Sequence, residues 1–284
     1  MLRKWIPALL ALLLLFSSAA AEEELRGYDA EAGYIYVTLG EYPQVIDGGI
    51  PDDGTQAWRW RKSFQKNKVP GEMREEGIDR DTVEPSPILW RVLRFEEGQA
   101  FLLSEYILFP SPAHSSTKEY EAIGNDFSQT DLSRILNGEF MEKAFTEAEQ
   151  NAIIPYETLG KVFILSTADL KDPDIGFGKN KKTRKAWATE YAIRACGAFV
   201  YQTTNGNHSP YWTRDKYPNK VKKGSPDYNP HAAQCTKADG SVGYYSCTNP
   251  EEGARPALYL DIAKLKITEG DGTKENPFRL SAEE

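Results

Sequence analysis

Histidine, cysteine and methionine are scarce in this chain of 284 residues, with three of each. His114, His208 and His231 are scattered, and no His-x-x-His or Cys-x-x-Cys spacing exists, so no zinc site is expected. The acidic turns at Asp172-Pro173-Asp174 and at Asp47, Asp52 and Asp53 lack the spacing of a calcium loop. No Gly-x-Ser-x-Gly elbow surrounds Ser104 or Ser166, which read as hydrogen bonders at strand ends. The glycines of Gly270-Asp271-Gly272-Thr273 precede no helix, so they form no phosphate cradle; with Asn276-Pro277-Phe278 they read as a turn and short strand closing the domain. These absences leave no catalytic residue, metal or cofactor to assign, and they weigh against an enzyme.

Long apolar runs are also lacking, with one exception at the start. Arg3 and Lys4 precede the apolar stretch Ile6–Phe16, and Ala19-Ala20-Ala21 then offers a small-x-small cleavage site before Glu22-Glu23-Glu24. A spanning helix needs about 20 apolar residues, so this stretch reads as a secretory signal peptide cleaved after about Ala21 rather than as an anchor. The expected location is secreted, periplasmic or at the cell envelope, with no membrane span after processing. No cysteine follows the cleavage region to receive a lipid. The formal net charge is −8, and losing Arg3 and Lys4 with the leader leaves the remainder more acidic still. Such a surface repels phosphate backbones, so nucleic acid is excluded as a partner.

In an oxidising compartment two of Cys196, Cys235 and Cys247 can pair. Cys235 and Cys247 are the natural couple, bracketing a turn-rich stretch with Gly240 and Gly243 between them. Cys196 follows Tyr191-Ala192-Ile193-Arg194-Ala195 and reads as a buried free thiol at the end of a helix.

What is present reads as a short linker over 22–32, one α+β domain over 33–280 and an acidic tail over 281–284. Strands are expected at Tyr34–Leu39, Ile88–Leu93, Ala100–Ser104, Val162–Ser166 and Ala257–Leu260. The second and third form a hairpin across Glu96-Glu97-Gly98. Leu132, Ile135, Leu136 and Phe140 share a helical face. Thr146 and Glu149 form a capping box that starts a helix through Ile153. A third helix is expected within Thr183–Ala195, burying Trp187 and Tyr191; Trp90 and Trp187 are assigned to the core. A polar insertion at about 47–87 and a polar stretch over 203–254 read as long irregular loops, where binding surfaces usually sit.

Several segments, in order, resemble a bacterial family, the domain of unknown function numbered 6273. They are Gly33-Tyr34 with Leu39-Gly40-Glu41-Tyr42-Pro43-Gln44, Pro87–Leu93 with Leu102–Tyr106, and Leu132–Asn137 with Phe140, Ala144-Phe145 and Glu149. Val162–Ser166, Thr189–Ala192, Tyr211–Arg214 and Ala254-Arg255-Pro256-Ala257-Leu258 complete the set. Trp-x-Arg followed by the late Arg-Pro-Ala-Leu strand is similar, more distantly, to the C-type-lectin-like and sulfatase-modifying folds. That resemblance implies a small twisted antiparallel sheet flanked by two or three helices with long irregular loops. The lectins' calcium triplets and the sulfatase-modifying enzymes' close cysteine pair are absent here.

Arg214 and Arg255 are candidates for a bidentate clamp on a carboxylate, or for ion pairs that pin loops to the sheet. Trp58, Trp60, Tyr211, Trp212, Tyr244 and Tyr245 are aromatics in polar stretches, suited to stacking on a sugar or anchoring an interface, or else to packing the loops. The expected function is an exported, non-catalytic ligand-binding or surface-interaction module with a glycan, peptide or envelope protein as partner. The alternatives are an extracellular enzyme acting on a glycan or protein, and a structural component of a surface assembly.

Overall fold

The computed structural model describes residues 24–46, 77–200, 208–218, 223–225 and 228–282. The leader, Trp58, Trp60 and the aspartates at 47, 52 and 53 lie outside the described residues.

The alternation over 88–93 folds as expected. Strand β2 (Pro85–Glu96) pairs antiparallel with β3 (Gln99–Ser104). Glu97 and Gly98 both take positive φ, 51° and 74°, giving the left-handed turn whose twist matches a two-stranded ribbon. Ile88, Trp90 and Val92 are fully buried, and so is Leu93 on the opposite parity. The register shift between Val92 and Arg94 accounts for it: a bulge turns two successive side chains inward.

β1 (Ile35–Pro43) lies antiparallel to β2, and the indole of Trp90 donates to the Leu39 carbonyl at 2.9 Å. The C-terminal strands β11 (Pro256–Asp261), β12 (Leu265–Glu269) and β13 (Phe278–Ala282) join the same sheet, as do the short strands β5 (Ile153–Ile154) and β6 (Val162–Ile164). Its order is β12-β13-β1-β2-β3-β11-β5, with β6 also on β11, eight strands in all. β13 takes in Ser281 and Ala282 at the head of the acidic tail. A second, five-stranded sheet runs β4 (Phe109–Pro110), β10 (Gly253–Ala254), β7 (Tyr211–Lys216), β8 (Ala232–Thr236) and β9 (Val242–Ser246).

The α+β class holds, but the single small antiparallel sheet is corrected. The described residues form two sheets, both larger, and both mixed, because β1 pairs parallel with β13 and β7 pairs parallel with β10. The second sheet grows from the stretch that reads as polar loop. Tyr, Thr, Gln and Gly in the sequence mask strands buried on both faces, where Tyr211, Trp212, Ala232, Ala233 and Cys235 are all buried.

Helical structure is short and sits mostly between the strands of the first sheet: α1 (Thr117–Ile123), α2 (Asp131–Ile135), α3 (Met141–Ala144) and α4 (Glu147–Ala152). Thr130 caps α2, accepting from the Ser133 amide at 3.1 Å. A π turn, Leu136–Phe140, joins α2 to α3, and Leu132, Leu136, Phe140, Met141 and Ala144 face the core. The capping box of α4 forms as expected, with Thr146 and Glu149 exchanging hydrogen bonds. The helix expected over Thr183–Ala195 is corrected. Lys181–Arg184 is one 3-10 turn, Tyr191–Ala195 is a π turn, and the backbone between them bonds outward to Ile107 and Ser209. Trp187 is consequently half-buried, stacked on His208 with centroids 4.5 Å apart, rather than on a buried helix face.

Candidate functional site

The Cys235–Cys247 disulfide is corrected: the two thiols are not bonded to each other. In the β8–β9 hairpin Cys235 stands opposite Gly243, while Cys247 bonds to His231 at the far end. Four residues of strand, about 14 Å, separate the two positions, and a disulfide needs Cα atoms within about 7 Å. Burial pushes the Cys235 thiol well above the ordinary range, and the Cys247 thiol up to about 11.

The aromatic candidates do not gather. Tyr211 and Trp212 lie in β7 and are buried; the Tyr211 hydroxyl donates to the Arg184 carbonyl and the Trp212 indole to the Ser111 carbonyl. Their placement in a surface loop is corrected, because both face the core from a strand. Tyr244 and Tyr245 are exposed on the outermost strand β9, where Tyr244 packs on Tyr217 at 4.0 Å. Arg214 pairs with Asp169 at 2.6 Å and donates to the Ile164 carbonyl, pinning β7 to the turn after β6. Among the described residues no group of His, Cys, Asp and Glu is placed to hold a metal ion. His114 is buried and accepts from the Asp131 amide through Nδ1.

Arg255 occupies the residue between β10 and β11, where the chain passes from the second sheet into the first. Its Nε donates to the Ser104 carbonyl at 2.8 Å and its guanidinium lies over the Tyr211 ring. Both terminal nitrogens lack a hydrogen-bond partner, and burial and then Arg91 lower its affinity for a proton. Arg91 and Lys274 instead share Glu105. Burial raises that carboxyl, but the two cations outweigh it and hold Glu105 down at about 2. No described cavity opens onto Arg255.

A cavity does open elsewhere, and two π turns from distant parts of the chain meet on it. The turn Leu136–Phe140 supplies Glu139 and Phe140, and the turn Tyr191–Ala195 supplies Tyr191 and, just after it, Cys196. The extra residue in a π turn widens a helix and redirects its side chains, and such turns concentrate at functional sites. The end of β1 adds Tyr42, β4 adds Phe109, α3 adds Lys143, and the 3-10 turn Arg80–Thr82 adds Arg80 and Asp81. The space measures about 320 Å³, within the range of small-molecule sites. Larger depressions of 830 and 510 Å³ lie along the first turn of α4 and the β2–β3 turn, lined by polar, charged and aliphatic groups without an aromatic ring.

Four rings make the floor. Tyr42 lies 5.2 Å from Phe140, 5.9 Å from Phe109 and 6.1 Å from Tyr191, tilted by 53°, 44° and 86°. All four are buried. Burial raises both tyrosine hydroxyls far above their ordinary range, so each is a neutral donor. Tyr191 is further held up by a hydrogen bond with Cys196, whereas the Tyr42 hydroxyl makes none among the described residues. Charges ring the floor. Glu139 and Arg80 act on Tyr42, Arg80 and Asp81 act on Tyr191, and the Lys143 ammonium stands 5.8 Å from the Tyr42 ring centroid. Arg80 is oriented by its Nε, which donates to the Ala195 carbonyl at 2.9 Å. None of Arg80, Asp81, Glu139 and Lys143 takes part in an ion pair among the described residues.

None of the described binding candidates from the sequence, Tyr211, Trp212, Arg214, Tyr244, Tyr245 and Arg255, lines this cavity. From sequence, Phe140 and Tyr191 read as buried helix positions and Cys196 as a buried thiol. Gly138 within an otherwise helical run is the signal that was there to be read, since glycine marks a break in helical regularity. No protein-family model, curated protein or solved structure matches this chain.

Proposed function

We propose that the chain is an exported ligand-binding module that seats a small ligand, or one residue of a larger one, in the cavity between the two π turns. The observation that carries this reading is a concavity with four buried rings at its base and charges of both signs at its mouth, Arg80 half-buried and Asp81, Glu139 and Lys143 exposed, none of them in an ion pair among the described residues. At the mouth of the concavity these charges are open to a solute that enters it. The export reading rests on the leader, Arg3 to Ala21. The lectin-like relationship and the resemblance to the family numbered 6273 remain part of the proposal. They are supported by the hairpin β2–β3 and the late strand β11 beside it.

Two measurements test this. The mature protein recovered from outside the cytoplasm is expected to begin near Glu22. Thermal unfolding against a panel of glycans, peptides and amino acids is expected to show a ligand-dependent rise that Ile135→Trp, which fills the cavity wall, abolishes without lowering the unliganded midpoint by more than a few degrees. A panel without any stabilising compound, or binding indifferent to Ile135→Trp, removes the reading.

A further inference from the structure

Resting on the reading of this cavity as a ligand site, we infer that its ligand is an amino-acid-type zwitterion with a large apolar side chain, met as a free amino acid or as a short peptide with both ends charged. The four rim groups are two cations, Arg80 and Lys143, and two anions, Asp81 and Glu139. Their formal charges cancel, so neither a plain anion nor a plain cation is favoured; a solute carrying both signs satisfies them, and complementarity of this kind sets specificity. With its Nε fixed on the Ala195 carbonyl, Arg80 keeps its two terminal nitrogens for a carboxylate. Glu139, which acts on the Tyr42 hydroxyl from the helical wall, is the acceptor for an ammonium.

The floor decides the remainder of the ligand. Sugars are held by stacking on an exposed aromatic face, but these rings are buried and tilted by 37° to 86° to one another. Tilted rings at the base of a hollow whose mouth is polar and charged suit an aromatic or branched aliphatic side chain that reaches the base while the charged end of the ligand stays at the mouth. A volume of about 320 Å³ is at the lower end for a ligand site and holds one residue rather than an oligomer.

Titration calorimetry on the full mature chain separates the outcomes, using L-phenylalanine, phenethylamine, 3-phenylpropionate, Phe-Gly, Gly-Phe and N-acetylglucosamine. Phenylalanine is expected to bind, and loss of either charge is expected to weaken binding by about tenfold or more, the scale of one charge-assisted contact. Arg80→Met is expected to weaken phenylalanine but not phenethylamine, and Glu139→Gln to weaken phenylalanine but not phenylpropionate; Arg80→Lys guards against a folding defect in the first. Dipeptides that bind more tightly than phenylalanine identify the peptide source, and the reverse identifies the free amino acid. Equal affinity for the three phenyl compounds, or binding of the sugar alone, overturns this inference while leaving the cavity a ligand site. No binding by any compound of any class overturns both.

Discussion

Glu252 is the carboxyl most at odds with its surroundings. It is 2% exposed, its Oε2 has no hydrogen-bond partner, and Asn249 reaches only Oε1. Burial, and then the neighbouring Glu251, push its pKa up to about 8. The folded protein therefore holds a proton that the unfolded chain releases near its ordinary 4.5, so stability falls as pH rises from about 4.5 to about 8. Glu105 has the opposite sign. Held down at about 2, it adds stability that is complete above its ordinary 4.5 and is lost as pH falls from there towards 2. Between them these two residues place maximal stability near pH 4.5. Urea unfolding at pH 5 and pH 8.5 is expected to show the protein weaker at the higher pH by on the order of a few kcal/mol, and Glu252→Gln is expected to remove most of that difference. A wild-type profile that is flat or rising across this range would show that Glu252 is ionised in the fold. Nothing in the local sequence, Asn249-Pro250-Glu251-Glu252-Gly253, marks one of two adjacent glutamates as buried; only its position beside β10, against Ser111, does so.

At the scale of elements, legibility tracked how local the determining forces are. The β2–β3 hairpin, the capping box of α4 and the face of α2 are settled by neighbours within a few residues, and each was readable. The segment 185–189 was not, because Ala186 and Ala188 find their backbone partners on Ser209 and Ile107, distant in sequence, and those bonds override helical propensity. The two π turns have a related cause: each packs an aromatic ring, Phe140 or Tyr191, against a cluster completed by Tyr42 of β1 and Phe109 of β4, which lie far away in sequence. The β8–β9 hairpin shows how element geometry overrules a plausible sequence pattern. Its register holds Cys235 and Cys247 at opposite ends, so proximity in sequence becomes separation in space. Thiol titration of non-reduced, denatured protein isolated from an oxidising compartment is expected to find Cys235 and Cys247 both free. An intramolecular Cys235–Cys247 bond in the peptide map would require a different register for this hairpin.

Across the whole molecule, the first sheet is closed by strands from both ends of the described chain. β13 runs parallel to β1, Val37 beside Phe278, and separates β1 from β12. The turn over 270–277 secures this arrangement. Gly270 has φ of 99°, and a Cβ there would meet the Pro277 carbonyl at 2.1 Å, while Tyr36 donates its amide to the Gly272 carbonyl. Lys274 crosses to Glu105 at 2.8 Å, tying the same turn to the residue after β3. Deleting everything after Gly270 therefore removes more than an edge. It uncovers the backbone of β1, strands β12 without its neighbour, withdraws one of the two cations that compensate Glu105, and takes away the buried side chains of Phe278 and Leu280. Those two side chains alone are worth about 1.5–3 kcal/mol each, against a total of about 5–15 kcal/mol for an ordinary domain. The truncated chain is expected to lose its cooperative thermal transition or to melt at least ten degrees lower, whereas removing only Glu283 and Glu284 is expected to leave the midpoint unchanged. If the longer deletion melts like the full chain, β13 contributes nothing to the sheet, and the N- and C-terminal strands are not the joint that closes it.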